Sequence, residues 1–332
     1  MIERIEFKNF KALRSAVLPL GRFTLIVGPN GSGKSTALKA LECVRSPRDF
    51  THAMLATAGV DEKAAVSLHF GDPNQGCRMT VGWSLPQNND LEITDASGQP
   101  APAVTCSAIQ QTLLKTCIYA LNPDQLSREV PLMPNLQLSP NGYGLAALLD
   151  SLRDTNPEQF EALKRELPRW FPEYDNILFE VPSGGNRALA LRTVAGAKIA
   201  ARDLSHGTLL ALAMLTLSYL PDPPPLIAFE DPDRGIHPRL LREIQDALYR
   251  LAYPDSSSGQ RAPVQVIATT HSPYFLDLFK EHAEEIVIAQ KQGAEATFER
   301  LSERPDIEQI LDGASLGDVW YSGALGGVPV AQ

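Results

Sequence analysis

The chain of 332 residues has only four cysteines, at positions 43, 77, 106 and 117. None forms a C-x-x-C pair, and none stands at metal-ligand spacing from a histidine. A disulfide framework, a structural zinc and a thioredoxin-like redox pair are therefore excluded, and reduced thiols are expected. No apolar run reaches the roughly 18 residues that a membrane span needs. The opening stretch MIERIEFKNFKALRS lacks the apolar core of a signal peptide, so a soluble, cytoplasmic protein is expected. Basic residues are in deficit, with Lys+Arg 30 against Asp+Glu 39 and a net charge of −9. That excludes a small basic protein that wraps nucleic acid, while leaving room for a local basic groove. Internal repeats and heptad arrays are also missing, which excludes solenoids and coiled-coil rods.

Apolar residues make up 44% and charged residues 21% of the chain, which is ordinary globular usage. At a prior of roughly 150 residues per domain, the length suits two domains or one large domain with an insertion. A core of that size needs no staples.

Periodicity places the elements. Ile2–Phe7 alternates apolar and charged residues, as a half-buried strand does. Phe23–Val27 is a continuous apolar run that ends in a glycine-rich loop, and a helix follows over 35–43. Ala64–Phe70 and Arg78–Trp83 read as strands about a turn at 71–74. Gln87–Pro102 reads as a polar loop, while 122–144 carries no clear signal. Asn156 suits a helix N-cap and Pro157 a first helical position, with Phe160, Leu163 and Leu167 on one face. Ile177–Val181 and Ala188–Val194 read as strands around a Ser-Gly-Gly-Asn turn. Leu204–Tyr219 is an apolar helix, broken at Pro221–Pro225. Leu226–Phe229 and Val264–Ala268 are further buried-strand candidates. Helices are expected over Arg239–Ala252 and Pro273–Glu285, a flexible loop over Pro254–Ala262, and a strand over Ile286–Ala289. The tail from 315 to 330 is rich in glycine.

Four short segments carry chemistry. Gly28-Pro29-Asn30-Gly31-Ser32-Gly33-Lys34-Ser35 fits G-x-x-x-x-G-K-[ST], and Thr36 follows it. The glycines let successive N–H groups converge on a phosphate, and the helix N-terminus adds its positive dipole end. Lys34 reaches the β- and γ-phosphates as a point charge, and the Ser35 hydroxyl ligates Mg²⁺. A chance match in a chain of this length is on the order of one per cent, and the context of strand before and helix after is met. Glu230-Asp231 ends an apolar strand. Two carboxylates there are costly without a cation or donors, and a nucleotide-bound Mg²⁺ is such a cation. His271 follows another buried strand. Ligands of open α/β sheets gather at the carboxyl edge, where Gly28, Glu230 and His271 are expected to converge. Ser205 suits the N-cap of the 204–219 helix, and Gly207 keeps its N-terminus open to an anion.

Together these residues resemble the ABC-type ATPases, in particular the branch holding RecF, the SMC chromosome proteins and the OLD-like defence ATPases. The matching segments are GPNGSGKST at 28–36, LSHGT at 204–208, LIAFEDPDRGIHP at 226–238 and ATTHSPYFLD at 268–277, with the opening IERIEFKNFKAL. SLGDVWYSGALGG at 315–327 is similar to stand-alone ATPases of the same branch. The resemblance implies an α/β fold: a P-loop head with a mixed or parallel sheet flanked by helices, plus a helical insert. Residues 1–332 then form one head, with lobe I at 1–110 and 222–332 and lobe II at 111–221. It also implies ATP and Mg²⁺ as cofactors and a head-to-tail homodimer, in which Ser205 and Gly207 of one chain reach the γ-phosphate held by Lys34 of the other. Glu230 stands at the family's metal-binding position with Ser35, and Asp231 at its catalytic-base position, where the family has Glu. His271 stands at the γ-phosphate switch, and Asp233 and Arg234 at a loop that crosses the dimer interface.

Residues 46–203 leave no room for a long coiled coil, so no partner-spanning arm is expected. No TOPRIM-like or H-N-H nuclease pattern is visible. An effector would be a separately encoded protein, in DNA repair or anti-phage defence. With a charge of −9, any DNA contact has to be local or assisted by a partner. Three other readings use the same loop. A transporter ATPase needs a Q-loop glutamine, and Gln75 and Gln87 lie in turn-rich sequence. A small-molecule kinase needs an arginine lid, and has no use for the Ser205–Gly207 segment or His271. A non-hydrolysing scaffold or inhibitor would bind ATP to hold a partner, and Asp231 keeps that reading open.

Overall fold

Phe23–Val27 is buried at all five positions and Gln265–Thr270 at all six. Strands covered on both faces show no apolar–polar alternation, which is why both read as plain apolar runs. In the computed structural model the described residues are 1–85, 88–131, 137–182, 185–254, 261–293, 295–311 and 315–325. In chain order the elements are β1 (Ile2–Phe10), β2 (Leu13–Pro19), β3 (Phe23–Val27), α1 (Lys34–Arg45), α2 (His52–Leu55), β4 (Ala64–Phe70), β5 (Arg78–Ser84), β6 (Asn88–Thr94), α3 (Ala103–Leu114), β7 (Cys117–Tyr119), α4 (Pro123–Leu126), β8 (Val130–Pro131), α5 (Leu145–Thr155), α6 (Pro157–Trp170), β9 (Tyr174–Glu180), β10 (Asn186–Thr193), β11 (Lys198–Ala200), α7 (His206–Ser218), β12 (Leu226–Phe229), α8 (Leu241–Ala252), β13 (Gln265–Thr270), α9 (Pro273–Asp277), β14 (Ile286–Gln292), β15 (Glu295–Arg300), α10 (Ile307–Leu311) and α11 (Leu316–Tyr321). The chain divides into two compact units. One holds Met1–Thr116, Pro225–Ala228 and Gln265–Gln332, the other Cys117–Pro224 and Phe229–Val264.

The first unit contains two sheets. One is antiparallel throughout, in the order β2-β1-β4-β5-β6. It is covered on one face: β4 alternates buried and half-buried residues along its whole length, the period-2 pattern of such a strand. The other sheet runs β15-β14-β3-β13-β12 within this unit, with β3 parallel to both β13 and β14. The Phe7 and Phe298 rings join the two layers at 6.2 Å between centroids. Gln265 ties β13 to β1: its Oε1 accepts from the Ile2 N–H at 2.9 Å, and its Nε2 donates to the Ile2 carbonyl at 2.6 Å.

The second unit sets helices around a small antiparallel sheet of β8, β9, β10 and β11. Helix α7 is buried on nearly every side, so it shows no amphipathic stripe. Helix α8 packs on it and buries Leu241, Ile244, Leu248 and Leu251. Phe160, Leu163 and Leu167 of α6 are buried on one face, as their spacing predicts.

Several expectations need correction. The Gln87–Pro102 stretch contains β6, whose register with β5 runs from Ser84↔Asn88 to Arg78↔Thr94. Cross-strand pairing makes that strand, and its own residues are too polar to announce it. Asn156 stands before Pro157, but its side chain accepts from the Thr155 hydroxyl at 2.9 Å and caps no helix N–H. The helix expected over Pro273–Glu285 stops at Asp277, and Ala283–Glu285 is a separate 3₁₀ turn. Phe279 turns inward to stack on Phe23, with centroids 5.3 Å apart. Residues 229–264 belong to the second compact unit, where α8 lies against α7. Strands β2 and β15 and helix α3 had no reading. Among the described residues the longest helix has 14 residues, and none is long and apolar enough to cross a membrane. Gln87, Ser183, Gly184, most of the 254–262 loop and the tail beyond 325 lie outside the described residues.

Candidate functional site

In the first unit the glycine-rich loop leaves β3 and enters α1. Gly28 is needed by close approach: a Cβ there would stand 2.3 Å from the Ala289 carbonyl oxygen on β14 and 2.7 Å from Ser32 Oγ. Gly33 takes φ 96° at the N-cap of α1, a conformation that side chains other than glycine's adopt only at a cost. Lys34 is 5% exposed. Its ammonium donates to the Gly28 carbonyl at 2.8 Å and the Pro29 carbonyl at 3.1 Å. The loop thus curls around a buried cation that is poised over its own carbonyls. Ser32 is fully buried, and its Oγ has no hydrogen-bond partner among the described residues. A buried hydroxyl left unpaired is costly, and a polar ligand oxygen in the loop would satisfy it. Asn30, Gly31 and Ser35 are exposed, Pro29 and Thr36 half-buried. The loop therefore opens to solvent on that side.

His271 belongs to the same unit. Val27 is in register with Thr270 on parallel strands, so Gly28 and His271 leave the sheet side by side. The Thr270 Oγ1 accepts from the Ser272 N–H at 2.9 Å, and the Ser272 Oγ accepts from the Phe275 N–H at 3.2 Å. This half of the expected carboxyl-edge cluster is formed within one unit.

The second unit brings together the other candidates. Ser205 caps α7: its Oγ accepts from the Thr208 N–H at 3.0 Å. A Cβ on Gly207 would come within 2.8 Å of the Gly235 carbonyl oxygen, so the start of α7 and the turn after β12 touch through backbone. Ser205, Gly207, Gly235 and His237 line a cavity of about 420 Å³ in this unit. The helix N-terminus that borders it favours an anion. Glu230 and Asp231 are half-buried. The Glu230 N–H donates to the Tyr119 carbonyl at 2.8 Å, which fixes the end of β12 to β7. The Tyr119 and Phe229 rings stack there at 5.6 Å. Asp231 takes φ 46°, the left-handed region, and its carbonyl accepts from the Arg234 N–H at 2.9 Å. Asp and Asn enter that region more easily than longer side chains. The backbone at 231 thus suits the shorter acid that stands there.

Three residues that position these segments had no sequence signal. Gly235, at φ 74°, presents the carbonyl on which Gly207 rests. Arg261 lies at the end of the stretch read as a flexible loop, and its guanidinium donates to the carbonyls of Ser218, Leu220 and Arg250. It thereby closes the C-terminal ends of α7 and α8. Gln265 stands where a buried strand begins, and only its partners on β1 reveal its task. Cys43 is buried, and desolvation pushes its thiol up to about 12. All four cysteines are free, as reduced thiols require.

Two family models match the chain: "AAA domain, putative AbiEii toxin, Type IV TA system" over residues 141–277, and "AAA ATPase domain" over residues 1–94. Among curated proteins the chain is similar to the OLD nuclease of Thermus scotoductus, 37% identical over 117 residues, covering 30% of this chain and 21% of that protein. It is also similar to the probable iron export ATP-binding protein FetA of Escherichia coli, 28% identical over 146 residues, covering 42% of this chain and 64% of FetA. The chain therefore spans less than two thirds of either relative. Among solved structures, an SMC head bound to the C-winged helix domain of ScpA superposes with a TM-score of 0.64 at 19% identity, over 92% of this chain and 99% of that one. The SMC head domain of Thermotoga maritima gives a TM-score of 0.52 at 16% identity, over 90% and 98%. At such identities the likeness establishes the fold.

Proposed function

We propose that this chain is an ABC-type P-loop ATPase of the RecF/SMC/OLD-like branch and that it works as an Mg²⁺-ATP-dependent dimerising switch. Lys34 and the N–H groups of the 28–36 loop bind the β- and γ-phosphates. Ser35 and Glu230 hold Mg²⁺, which neutralises the phosphate charge. His271 hydrogen-bonds the γ-phosphate, and Asp231 orients and deprotonates the attacking water. Ser205 and Gly207 of a second copy complete the site with the N-terminus of α7, so nucleotide binding closes a head-to-tail dimer and hydrolysis reopens it. Among the described residues no group of three or more His, Cys, Asp or Glu is placed to hold a metal.

The observation that carries this reading is the buried Ser32 Oγ, without a hydrogen-bond partner among the described residues, in the same loop as the buried Lys34 ammonium. A phosphate-binding loop accounts for both, and an ordinary glycine turn accounts for neither. The similarity to the OLD nuclease and to a putative toxin model supports a setting in DNA repair or anti-phage defence, with a separately encoded effector such as a nuclease under control of the switch. A local or partner-assisted DNA contact belongs to the same proposal.

Light scattering with and without Mg²⁺-ATP, on wild type and Asp231→Asn, with phosphate release followed in parallel, tests it. A mass that doubles with ATP and stays doubled in the variant supports the switch. Phosphate release without any mass change overturns the dimer. A second reading, a scaffold that binds ATP without turnover, is favoured by the short acid at 231. It predicts the doubled mass with no phosphate released.

A further inference from the structure

The SLGDVWY segment, unused in the site so far, packs against the segment that carries His271. Helix α11 has Ser315 at its N-cap, where the Ser315 Oγ accepts from the Asp318 N–H at 3.0 Å. The Gly317 N–H, another of the first-turn donors that a helix leaves unpaired, donates to Asp277 Oδ1 at 2.7 Å. Asp277 is the last residue of α9, the short helix that begins two residues after His271. A Cβ on Gly317 would stand 2.6 Å from the Pro273 carbonyl oxygen and 2.9 Å from Asp277 Oδ2. The two helices therefore touch through backbone at Pro273 and through a charge-assisted bond at Asp277. Leu316 and Trp320 of α11 are buried as well.

On the other side, α9 is tied to the end of β13 by the bonds from Ser272 N–H to Thr270 Oγ1 and from Phe275 N–H to Ser272 Oγ. His271 thus sits between two fixed points, β13 before it and the α9–α11 contact after it. Resting on the reading that His271 faces the γ-phosphate, we propose that Asp277 and Gly317 are positioning residues for the switch histidine: their bond clamps α9 onto α11 and holds His271 in register for turnover. The α9–α11 contact is then the route by which a change at His271 reaches the C-terminal segment.

The test compares His271→Ala, Asp277→Ala, Asp277→Asn and Gly317→Ala for steady-state ATP hydrolysis and thermal unfolding. Asparagine keeps the Oδ1 acceptor that alanine removes. Asp277→Ala is expected to lower kcat about tenfold with KM for ATP changed less than about twofold, the signature of a contact used after binding. Asp277→Asn is expected to restore kcat to near the wild-type value, with unfolding within a few degrees across the set. Gly317→Ala should follow Asp277→Ala. The proposal is overturned if His271→Ala is impaired while Asp277→Ala turns over normally, or if Asp277→Asn fails as Asp277→Ala does. If wild type and His271→Ala hydrolyse equally, the assignment of His271 itself is wrong, which is a separate outcome.

Discussion

A Cβ placed on Gly207 would lie 2.8 Å from the carbonyl oxygen of Gly235. That contact ties the start of α7 to the turn after β12, within one unit and through backbone alone. Gly207→Ala must push the 231–236 turn aside, because a carbonyl cannot swing away as a flexible side-chain end does. ATP binding to the monomer should persist within about twofold, since Lys34 and its loop are untouched, while phosphate release falls about tenfold or more. Isothermal titration beside a phosphate assay checks this. Lost binding would show that the α7 start helps to hold nucleotide in the monomer.

Lys34→Ala removes the ammonium that the Gly28 and Pro29 carbonyls clasp. It should abolish the ATP-induced rise in mass on light scattering. Unchanged dimerisation at saturating ATP would refute the phosphate role of Lys34.

Asp231 tests the backbone as well as the chemistry. At φ 46°, Asn is tolerated as Asp is, so Asp231→Asn should unfold at the wild-type temperature while trapping the dimer. Asp231→Glu adds a methylene toward the family's usual base, at a cost of about 1–2 kcal/mol for the left-handed backbone. A lower unfolding midpoint with faster phosphate release is the expected pair of outcomes. An unchanged midpoint would show that the turn relaxes around the longer side chain.

Arg261→Ala strips charged donors from the ends of α7 and α8. Hydrogen bonds to charged groups contribute about 1.5–3 kcal/mol each when buried. Arg261 is half-buried, so a total loss of about 1–3 kcal/mol in urea unfolding is expected. An unchanged midpoint would mean that water replaces the guanidinium at no cost.

Cys43 should resist alkylation in the native state. Its folded thiol is pushed up to about 12, far above the ordinary value of about 8.5, so at pH 8 the nucleophilic thiolate is scarce as well as shielded. Cys106 and Cys117 are half-buried and should react first. Mass spectrometry after brief iodoacetamide treatment separates the three sites, and early labelling of Cys43 would contradict its burial.

The candidate segments were legible in the linear order of residues. The 28–36 loop, the acids at 230–231, the Ser205 cap and His271 each follow an element whose pattern is local: a run of apolar residues short enough for a strand, or a cap before an apolar helix. Local patterns survive in sequence because each needs only neighbours within a few positions. Tertiary structure decided what depends on distant partners. Strand β6 exists because β5 pairs with it. Helix α9 stops at Asp277, with Phe279 turned inward to stack on Phe23. Residues 229–264 joined the second unit because α8 found its partner in α7. Gly207 meets Gly235, and Asp277 meets Gly317, each across tens of residues of chain. Contacts of that kind leave no periodic trace, since a glycine or an aspartate means something different at each approach of one backbone to another, and only the folded chain sets those distances.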